Sequence, residues 1–255
     1  NHSYFSFDAE GAPEAGLDRV KALGIRAFAY TEHHHLHSLE LARRYAEKIG
    51  VEYIAGVELT GEDPVTGGSI DVLGYFLPGD VEAVLAFGQE VTDIDNLNYR
   101  KLIGAFPRAG LPAMEWDAYL QYLRTTYPHA PNRSADKQSL VAYLLKNALA
   151  ASSSEALGLL ATAKNFVADG MVGYPSIERA IAAIRWAKGL AMVAHPMKYA
   201  LGERPPERVA AGWKALGVHG LEALYGPNPE KRVLWSRVAD SLDLCISSGS
   251  DCHHV

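Results

Sequence analysis

Apolar runs of strand length alternate with segments of helical periodicity over residues 1–79 and 166–255 of this chain. Residues 25–30, for example, have the composition of a buried strand, and a helical segment follows from Ser38 to Lys48. Strands and helices that alternate in this way are typical of parallel βαβ units. The alternation therefore predicts an α/β fold built on parallel strands.

Apolar periodicity and helix-ending residues give approximate bounds for these elements. Residues 1–5 are predicted to be the end of a first strand. The other predicted strands are residues 25–30, 53–59, 70–77, 190–194, 220–224 and 244–247. The predicted helices run from Pro13 to Gly24, over residues 38–48, from the cap Ser176 to Gly189, and over residues 206–216 and 229–242.

Residues 80–165 break the alternation, because they carry helical periodicity and few strand candidates. We therefore predict that residues 1–79 and 166–255 form a metal-binding barrel, and that residues 80–165 form a helical insertion that caps the substrate. Within it, Leu140, Val141, Leu144 and Leu145 form a helical stripe. The alternative is that these segments are ordinary helices of the barrel.

The segment from Thr31 to His37 contains four histidines and one glutamate directly after a predicted strand. Histidine is the commonest metal ligand in proteins, and its neutral imidazole is available near pH 7. The carboxyl ends of strands are also where α/β proteins usually carry their chemistry. The segment therefore indicates a metal site, with a solvated polar loop as the alternative.

Side chains that can bind metal recur where most of the predicted strands end. They are His2, Asp8, His33, Glu58, His195, Asp251 and His253, whereas Asp71 lies near the start of its strand. The carboxyl ends of parallel strands meet at one rim, so these side chains are expected to converge there. Eight nitrogen and oxygen ligands exceed what one zinc ion takes and suit two or three ions of manganese, iron or zinc. Taken singly, His195 could be a core histidine and Asp251 a turn residue.

Five short motifs, in their order and spacing, resemble the PHP (polymerase and histidinol phosphatase) superfamily of metal-dependent phosphoesterases. They are Asn1-His2-Ser3, Thr31-Glu32-His33, Gly56-Val57-Glu58, Ala194-His195-Pro196 and Gly249-Ser250-Asp251-Cys252-His253. The run Val72-Leu73-Gly74-Tyr75-Phe76, the helical insertion and Asn132-Arg133-Ser134 further resemble the branch of nucleoside bisphosphatases and RNase-like exonucleases.

This resemblance implies a distorted seven-stranded (β/α) barrel with a trinuclear metal site. By motif, His2, Glu58 and Asp251 would hold the first ion, Glu58, Asp71 and His195 the second, and Asp8, His33 and His253 the third. Glu58, His195 and Asp251 are the residues to which we assign catalytic roles on the same basis.

Two positions depart from the family pattern, and one motif is incomplete. Asp71 stands where the family usually has histidine, which would weaken the second site or shift it towards harder metals. The loop between His2 and Asp8 is one residue longer than in similar sequences, which makes Glu10 an alternative to Asp8. The first histidine of the opening motif is expected just before Asn1.

The resemblance implies hydrolysis of a phosphate monoester of a small metabolite or nucleotide by a metal-bridging hydroxide. Arg133 is the candidate phosphate clamp, because guanidinium binds phosphate through two parallel hydrogen bonds, although it could also be a surface charge. Ser250 and His254 are further candidates for substrate binding.

Four other functions remain open on the sequence alone. They are an exonuclease acting on short oligonucleotides, a histidinol-phosphate phosphatase, a metal-stabilised binding module without activity, and an amidohydrolase-type C–N hydrolase. The last is disfavoured, because such enzymes usually rely on a carboxylated lysine and no lysine ends a predicted strand in this set of residues.

The net charge of −6 argues against strong binding of long nucleic acids, since such binding depends on many lysine and arginine contacts to phosphate. Two cysteines are too few for a disulfide framework and predict a reducing, cytoplasmic location. No apolar run reaches the length of a membrane span, so no membrane partner is expected. The expected partner is a small phosphorylated substrate.

Overall fold

The structure, a computed structural model, describes residues 1–130 and 133–253. The chain divides into two compact units, which are described separately below. The first comprises Asn1–Ser3, Ala9–Val91 and Tyr174–Val255, and the second Tyr4–Asp8 and Thr92–Gly173. Among the described residues, no helix combines the length and the apolar character that crossing a membrane requires.

Helices and strands alternate in the first unit, as the sequence predicted. In the two units taken together, the described helices are α1 (Pro13–Ala22), α2 (Leu39–Ile49), α3 (Glu82–Ala105), α4 (Trp116–Thr126), α5 (Lys137–Lys146), α6 (Ser153–Lys164), α7 (Ile177–Trp186), α8 (Pro206–Ala215) and α9 (Pro229–Ser241), with short 3-10 turns at Pro107–Ala109 and Pro196–Lys198. The strands are β1 (Ala27–Phe28), β2 (Thr31–His33), β3 (Glu52–Tyr53), β4 (Gly56–Glu62), β5 (Ser69–Tyr75), β6 (Leu190–Val193), β7 (Gly220–Tyr225) and β8 (Cys245–Gly249).

Local signals explain where these helices begin and end. The Ser176 hydroxyl accepts a hydrogen bond from the backbone N–H of Glu178 and so caps α7, as predicted. Gly50 ends α2 with a φ of 76°, a left-handed conformation that glycine adopts at little cost. Every helix predicted for residues 1–79 and 166–255 is present within a few residues of its predicted ends.

Six strands form one mixed sheet in the order β2-β4-β5-β6-β7-β8. β2 is parallel to β4, and β6, β7 and β8 are parallel to one another, but β5 is antiparallel to both of its neighbours. The prediction of parallel strands is therefore wrong at β5. Residues 63–68, which join β4 to β5, are too few for the crossover that parallel neighbours need, so the chain turns back as a hairpin.

The predicted strand at residues 25–30 is also divided. Its first part forms β1, which pairs with β3 in a separate two-stranded sheet, and Thr31–His33 join the large sheet as β2. Residues 1–5 contain a turn and not the predicted strand end. The described residues thus form an α/β fold with a curled six-stranded half-barrel, and the closed seven-stranded barrel is not confirmed.

The core of the first unit lies between the large sheet and the helices α7, α8 and α9. The predicted stripe of α7 is buried there, including Ile177, Ile181 and Ile184. Trp213 of α8 is fully buried, and its Nε1 donates a hydrogen bond to the carboxylate of Asp63 at 2.9 Å. This bond ties the turn of the β4–β5 hairpin to the helical layer, so the hairpin is held in place.

The second unit contains α4, α5, α6 and the later part of α3, with a hydrophobic core of its own. Leu140 and Leu144 of α5 are fully buried in that core, whereas Leu145, which we expected in the same stripe, is 37% exposed. Whether residues 80–165 act as a separate substrate cap stays a prediction.

Candidate metal centre

The strand ends of the first unit carry the predicted ligands, and the pairing of strands decides which of them meet. His33 of β2 lies directly opposite Glu58 of β4 in a parallel register. The backbone N–H of His34 then donates to the carbonyl of Glu58 at 2.9 Å, which fixes the end of β2 against β4. Both side chains therefore project from the same rim of the sheet.

A first group of possible ligands consists of His2, Glu58 and Asp251. The Nε2 atom of His2 lies 3.2 Å from Oε2 of Glu58 and 3.3 Å from Oδ1 of Asp251. His2 and Glu58 are almost fully buried, at 1% and 2% exposure. The three donor atoms lie within 4.8 Å of one another, which suits a single cation.

A second group consists of Glu58, Asp71 and His195. The Nε2 atom of His195 lies 3.2 Å from Oε1 of Glu58 and 3.7 Å from Oδ2 of Asp71. Asp71 comes near the start of its strand and still reaches the rim, because β5 runs antiparallel and the early part of β5 lies beside the late part of β4. Whether Asp71 binds metal stays a prediction.

Two hydroxyl groups orient the Asp71 carboxylate within this second group. Thr60, opposite Asp71 in the hairpin register, donates from Oγ1 to Asp71 Oδ1 at 2.6 Å. The Tyr199 hydroxyl accepts the backbone N–H of Asp71 at 2.8 Å and donates to Oδ2 at 3.4 Å. One carboxylate oxygen is thus held by Thr60, and the other faces His195.

The third group of possible ligands contains the rings of His2, His33 and His253, all of which belong to the first unit. The His2 ring stacks on His33 with centroids 4.3 Å apart and on His253 with centroids 4.6 Å apart. Asp8, the predicted carboxylate of this group, belongs to the second unit, and its part in a metal site stays a prediction. Its alternative, Glu10, is exposed, and its backbone N–H donates to the carbonyl of His253 at 3.1 Å.

The pKa of each carboxyl in these groups depends on the charged and hydrogen-bonding side chains beside it. Burial alone would raise the pKa of Glu58, but hydrogen bonds from His195 and His2 outweigh burial and hold the pKa well below its usual range. Asp251 behaves in the same way, because His2 and Lys198 outweigh burial and lower its pKa. Burial and the nearby Glu58 carboxylate raise the pKa of Asp71.

This donor set fits divalent cations. Each of the first two groups combines one imidazole nitrogen with two carboxylate oxygens, and both donor types bind Mn, Fe and Zn. Glu58 belongs to two groups, with one oxygen directed towards each, which is the arrangement that a bridging carboxylate needs. The repulsion between Glu58 and Asp71 would be relieved by a cation between them.

Several ligand-bearing segments adopt a backbone conformation that is uncommon for residues other than glycine. His195 has a φ of 27° and Asp251 a φ of 50°, and His34, beside His33, has a φ of 67°. Residues held in such conformations often cluster at functional sites, where the surrounding structure fixes them. Here they lie where strands end and candidate ligands project.

Glu222 of β7 is a buried carboxylate that the sequence analysis did not identify as a candidate. Its Oε2 accepts the backbone N–H of His195 at 2.9 Å, and burial raises the pKa of the Glu222 carboxyl. A Cβ added at Gly249 would collide with Oε1 of Glu222, so the absence of a side chain at Gly249 leaves room for the carboxylate in its present position. Glu222 thus connects the ends of β6, β7 and β8, which lead to His195 and Asp251.

Other functional candidates also escaped the sequence reasoning. Lys198 and Tyr199 follow the motif Ala194-His195-Pro196 after a single residue, Met197, and their position in a turn after a ligand was a usable signal. Thr60 could be recognised only once the antiparallel hairpin was known, because its partner Asp71 is assigned by strand register.

The predicted substrate-binding residues are found in different surroundings. Arg133, in the second unit, pairs with Asp136 at 3.1 Å and stacks on the Tyr127 ring at 3.5 Å, with a side chain only 5% exposed. Ser250 is exposed and donates from Oγ to the side-chain oxygen of Asn1 at 2.5 Å. His254 lies outside the described residues. The substrate roles of all three stay predictions.

Comparison with known proteins gives concordant matches. The profile of the PHP domain family matches residues 1–190. A 3',5'-nucleoside bisphosphate phosphatase of Chromobacterium violaceum is 25% identical over 260 aligned residues, covering 98% of this chain and 85% of that protein. A 5'-3' exoribonuclease of Haemophilus influenzae is 24% identical over 249 aligned residues, covering 95% of this chain and 84% of that protein.

A similar fold is found among solved structures. A protein of Bifidobacterium adolescentis, described as a metal-dependent phosphoesterase, superposes with a TM-score of 0.77 at 22% sequence identity. The match covers 99% of this chain and 85% of that protein. At this identity the likeness concerns the fold alone.

Proposed function

The chain belongs to the PHP domain family, and on that premise we propose that it is a metal-dependent phosphoesterase that hydrolyses a phosphate monoester. The observation that carries the proposal is the position of Glu58, whose two carboxylate oxygens face His2 and His195 in adjacent groups of ligands. A buried carboxylate shared in this way suits a cluster of two or more ions, and such clusters hold both the attacking and the leaving oxygen in phosphoryl transfer.

The residues that would hold the ions are His2, Glu58 and Asp251 in one group and Glu58, Asp71 and His195 in the other. His33 and His253 are the candidates in the first unit for a third ion, and the role of Asp8 there rests on the sequence motif alone. When bound, divalent ions supply a water of lowered pKa and neutralise charge that builds on phosphate oxygens. The protein contributes pre-oriented donors: Thr60 and Tyr199 fix Asp71, and Glu222 fixes the backbone of His195. Donors fixed in this way need not reorganise during the reaction.

A small nucleotide is the substrate class that we favour. The relative from Chromobacterium violaceum is named for action on 3',5'-nucleoside bisphosphates, and it aligns with 98% of this chain. The net charge of −6 also disfavours a long polyanion, because affinity for such a polymer depends on many basic contacts. We therefore propose a nucleoside bisphosphate or a similar phosphorylated metabolite.

A 5'-end exonuclease on short oligonucleotides is the second candidate. The relative from Haemophilus influenzae carries that name and aligns with 95% of this chain. Both reactions need the same metal chemistry, but a nuclease cleaves a phosphodiester and must accept a longer chain.

Rates of product release would separate these functions. The manganese-loaded protein would be given a 3',5'-nucleoside bisphosphate, histidinol phosphate and a 5'-phosphorylated oligonucleotide of a few residues. Our proposal expects phosphate release from the bisphosphate to be the fastest reaction. Faster release of mononucleotides from the oligonucleotide would favour the exonuclease, and a metal-loaded protein that is inactive on all three would favour a non-catalytic module.

A further inference from the structure

Lys198 places a positive charge next to the candidate metal groups. It ends the 3-10 turn Pro196–Lys198, which begins directly after His195. Its Nζ donates to Oδ2 of Asp251 at 2.5 Å. Lys198 is therefore in contact with one predicted ligand and three residues along the chain from another.

The two oxygens of Asp251 have different partners. Oδ1 lies 3.3 Å from Nε2 of His2, within the first group of ligands, whereas Oδ2 is the oxygen bonded to Lys198. Metal binding through Oδ1 would therefore leave the contact between Oδ2 and the ammonium group in place. Lys198 is thus positioned beside the metal group without occupying a ligand position.

An aromatic ring also holds the ammonium group. The Lys198 Nζ lies 4.9 Å from the centroid of the Tyr225 ring, and the same ring contacts His195 with centroids 5.5 Å apart. A lysine side chain ends in an ammonium group, and the contacts with the Asp251 carboxylate and the face of the Tyr225 ring both favour that positive charge. The side chain is still 44% exposed and can be reached by a solute.

We propose that Lys198 binds the phosphate group of the substrate, with its ammonium directed at a non-bridging oxygen, while Asp251 and Tyr225 hold the lysine in position. This inference rests on the proposed phosphoesterase function. An ammonium group donates charge-assisted hydrogen bonds to phosphate, which are among the stronger hydrogen bonds in proteins. By contrast, the guanidinium of Arg133 is already engaged by Asp136 and Tyr127 within the second unit.

Equilibrium binding of inorganic phosphate to the manganese-loaded protein tests the proposal without requiring turnover. The variant Lys198→Met keeps the apolar stem and removes the charge, and we expect it to weaken phosphate binding about tenfold or more. Bound manganese should be unchanged, and KM for a nucleoside bisphosphate should rise in parallel. Lys198→Arg keeps the charge and should retain most of the affinity.

Lys231→Met is the matched control. Lys231 contacts the same 3-10 turn, donating from Nζ to the carbonyl of Met197 at 3.4 Å, but it is exposed on α9 and touches no predicted ligand in that contact. The variant Lys231→Met should therefore bind phosphate as tightly as the wild type. Equal losses in both variants would mean that general surface charge attracts phosphate, and this would overturn the inference.

Two further outcomes would also contradict the inference that Lys198 binds phosphate. Unchanged phosphate affinity in Lys198→Met would remove the proposed contact, and a loss of manganese from that variant would show that Lys198 only balances the charge of Asp251. A wild-type protein that binds phosphate through Lys198 yet hydrolyses no phosphate ester would instead contradict the proposed function, so the two failures can be told apart.

Discussion

At the scale of single residues, Glu58 is the centre of the candidate site. It is 2% exposed, and each of its oxygens faces a different histidine. Leaving an uncompensated carboxylate in such a place would be costly; the neighbouring imidazoles reduce that cost, and a bound cation would reduce it further. The expectation from sequence that Glu58, His195 and Asp251 lie together at one rim agrees with these distances, whereas their catalytic roles stay predictions.

Replacing Glu58 by glutamine should weaken binding of ions at both adjacent groups. Glutamine keeps the size of the side chain but removes the negative charge and one of the two acceptor oxygens, so we expect affinity for manganese to fall at least about tenfold. Metal analysis after dialysis against graded chelator would measure this. Glu62→Gln, an exposed position at the end of the same strand, is the control, and equal metal content in both variants would contradict a ligand role for Glu58.

Glu222 makes a different prediction, because it touches the backbone of a ligand and not a metal position. Glu222→Ala leaves the His195 N–H buried without its acceptor, so unfolding free energy should fall by about 1–3 kcal/mol and manganese should bind about tenfold more weakly. Glu222→Gln retains an acceptor oxygen, so its unfolding free energy and its affinity for manganese should stay close to those of the wild type. Chemical denaturation and metal titration are the measurements.

The exposed Glu230 in the first turn of α9 provides the control, since Glu230→Ala should lower stability by less than about 1 kcal/mol, through the helix dipole alone, and leave manganese affinity unchanged. If Glu222→Gln were as damaging as Glu222→Ala, the charge and not the hydrogen bond to His195 would be responsible. The positioning role would then be wrong.

At the scale of secondary-structure elements, the β4–β5 hairpin explains how Asp71 reaches the site. Parallel strands would have carried Asp71 to the opposite edge of the sheet, but the antiparallel turn brings it beside Thr60 and towards Glu58. The Asp63 side chain stabilises the turn, because it accepts hydrogen bonds from Thr66 and from the buried Trp213. One hairpin therefore contributes two of the three members of the second group.

Two threonines in this hairpin allow a matched test of its role. Thr60 donates to Asp71 at 2.6 Å, and Thr66 donates to Asp63 at the same distance, but only Asp71 is a candidate ligand. Thr60→Val should therefore weaken metal binding about tenfold to a hundredfold, since lost support of a ligand usually costs that much. Thr66→Val should lower stability without changing metal affinity. A metal titration in which both variants resemble the wild type would argue against Asp71 as a ligand.

At the scale of the whole molecule, metal binding and stability should be coupled. Each group of ligands draws on distant parts of the chain, such as His2, Glu58 and Asp251, so the donors assemble only in the folded protein. A ligand that binds only the folded state stabilises it in proportion to the logarithm of its concentration.

Manganese at about a hundred times its dissociation constant should therefore raise the melting temperature by about 5–10 °C for a chain of this size. Differential scanning calorimetry with and without chelator would measure the shift. Glu58→Gln should show a much smaller one. A wild-type melting temperature that does not respond to manganese, iron or zinc would contradict the metal centre as a whole.

Much of the fold follows from local patterns. The helices α1, α2, α7, α8 and α9 were predictable because their buried stripes and end residues are encoded within each segment. The division of residues 25–30 and the reversal of β5 were not, since a strand gains its partner and direction from distant segments. Periodicity of apolar residues is the same in a parallel and an antiparallel strand that are both buried.

The order of residues along the chain specifies which imidazoles and carboxylates are available, that most of them follow apolar strands, and that the chain matches the PHP domain family. Which of these donors meet depends on how the strands pair and pack. The β4–β5 hairpin brings Asp71 close to His195, and Glu222 packs against Gly249. The ammonium of Lys198 contacts Oδ2 of Asp251, the oxygen that does not face His2. The reason is physical: a side chain's identity is local, whereas its distance from another side chain depends on every strand pairing and packing contact between them.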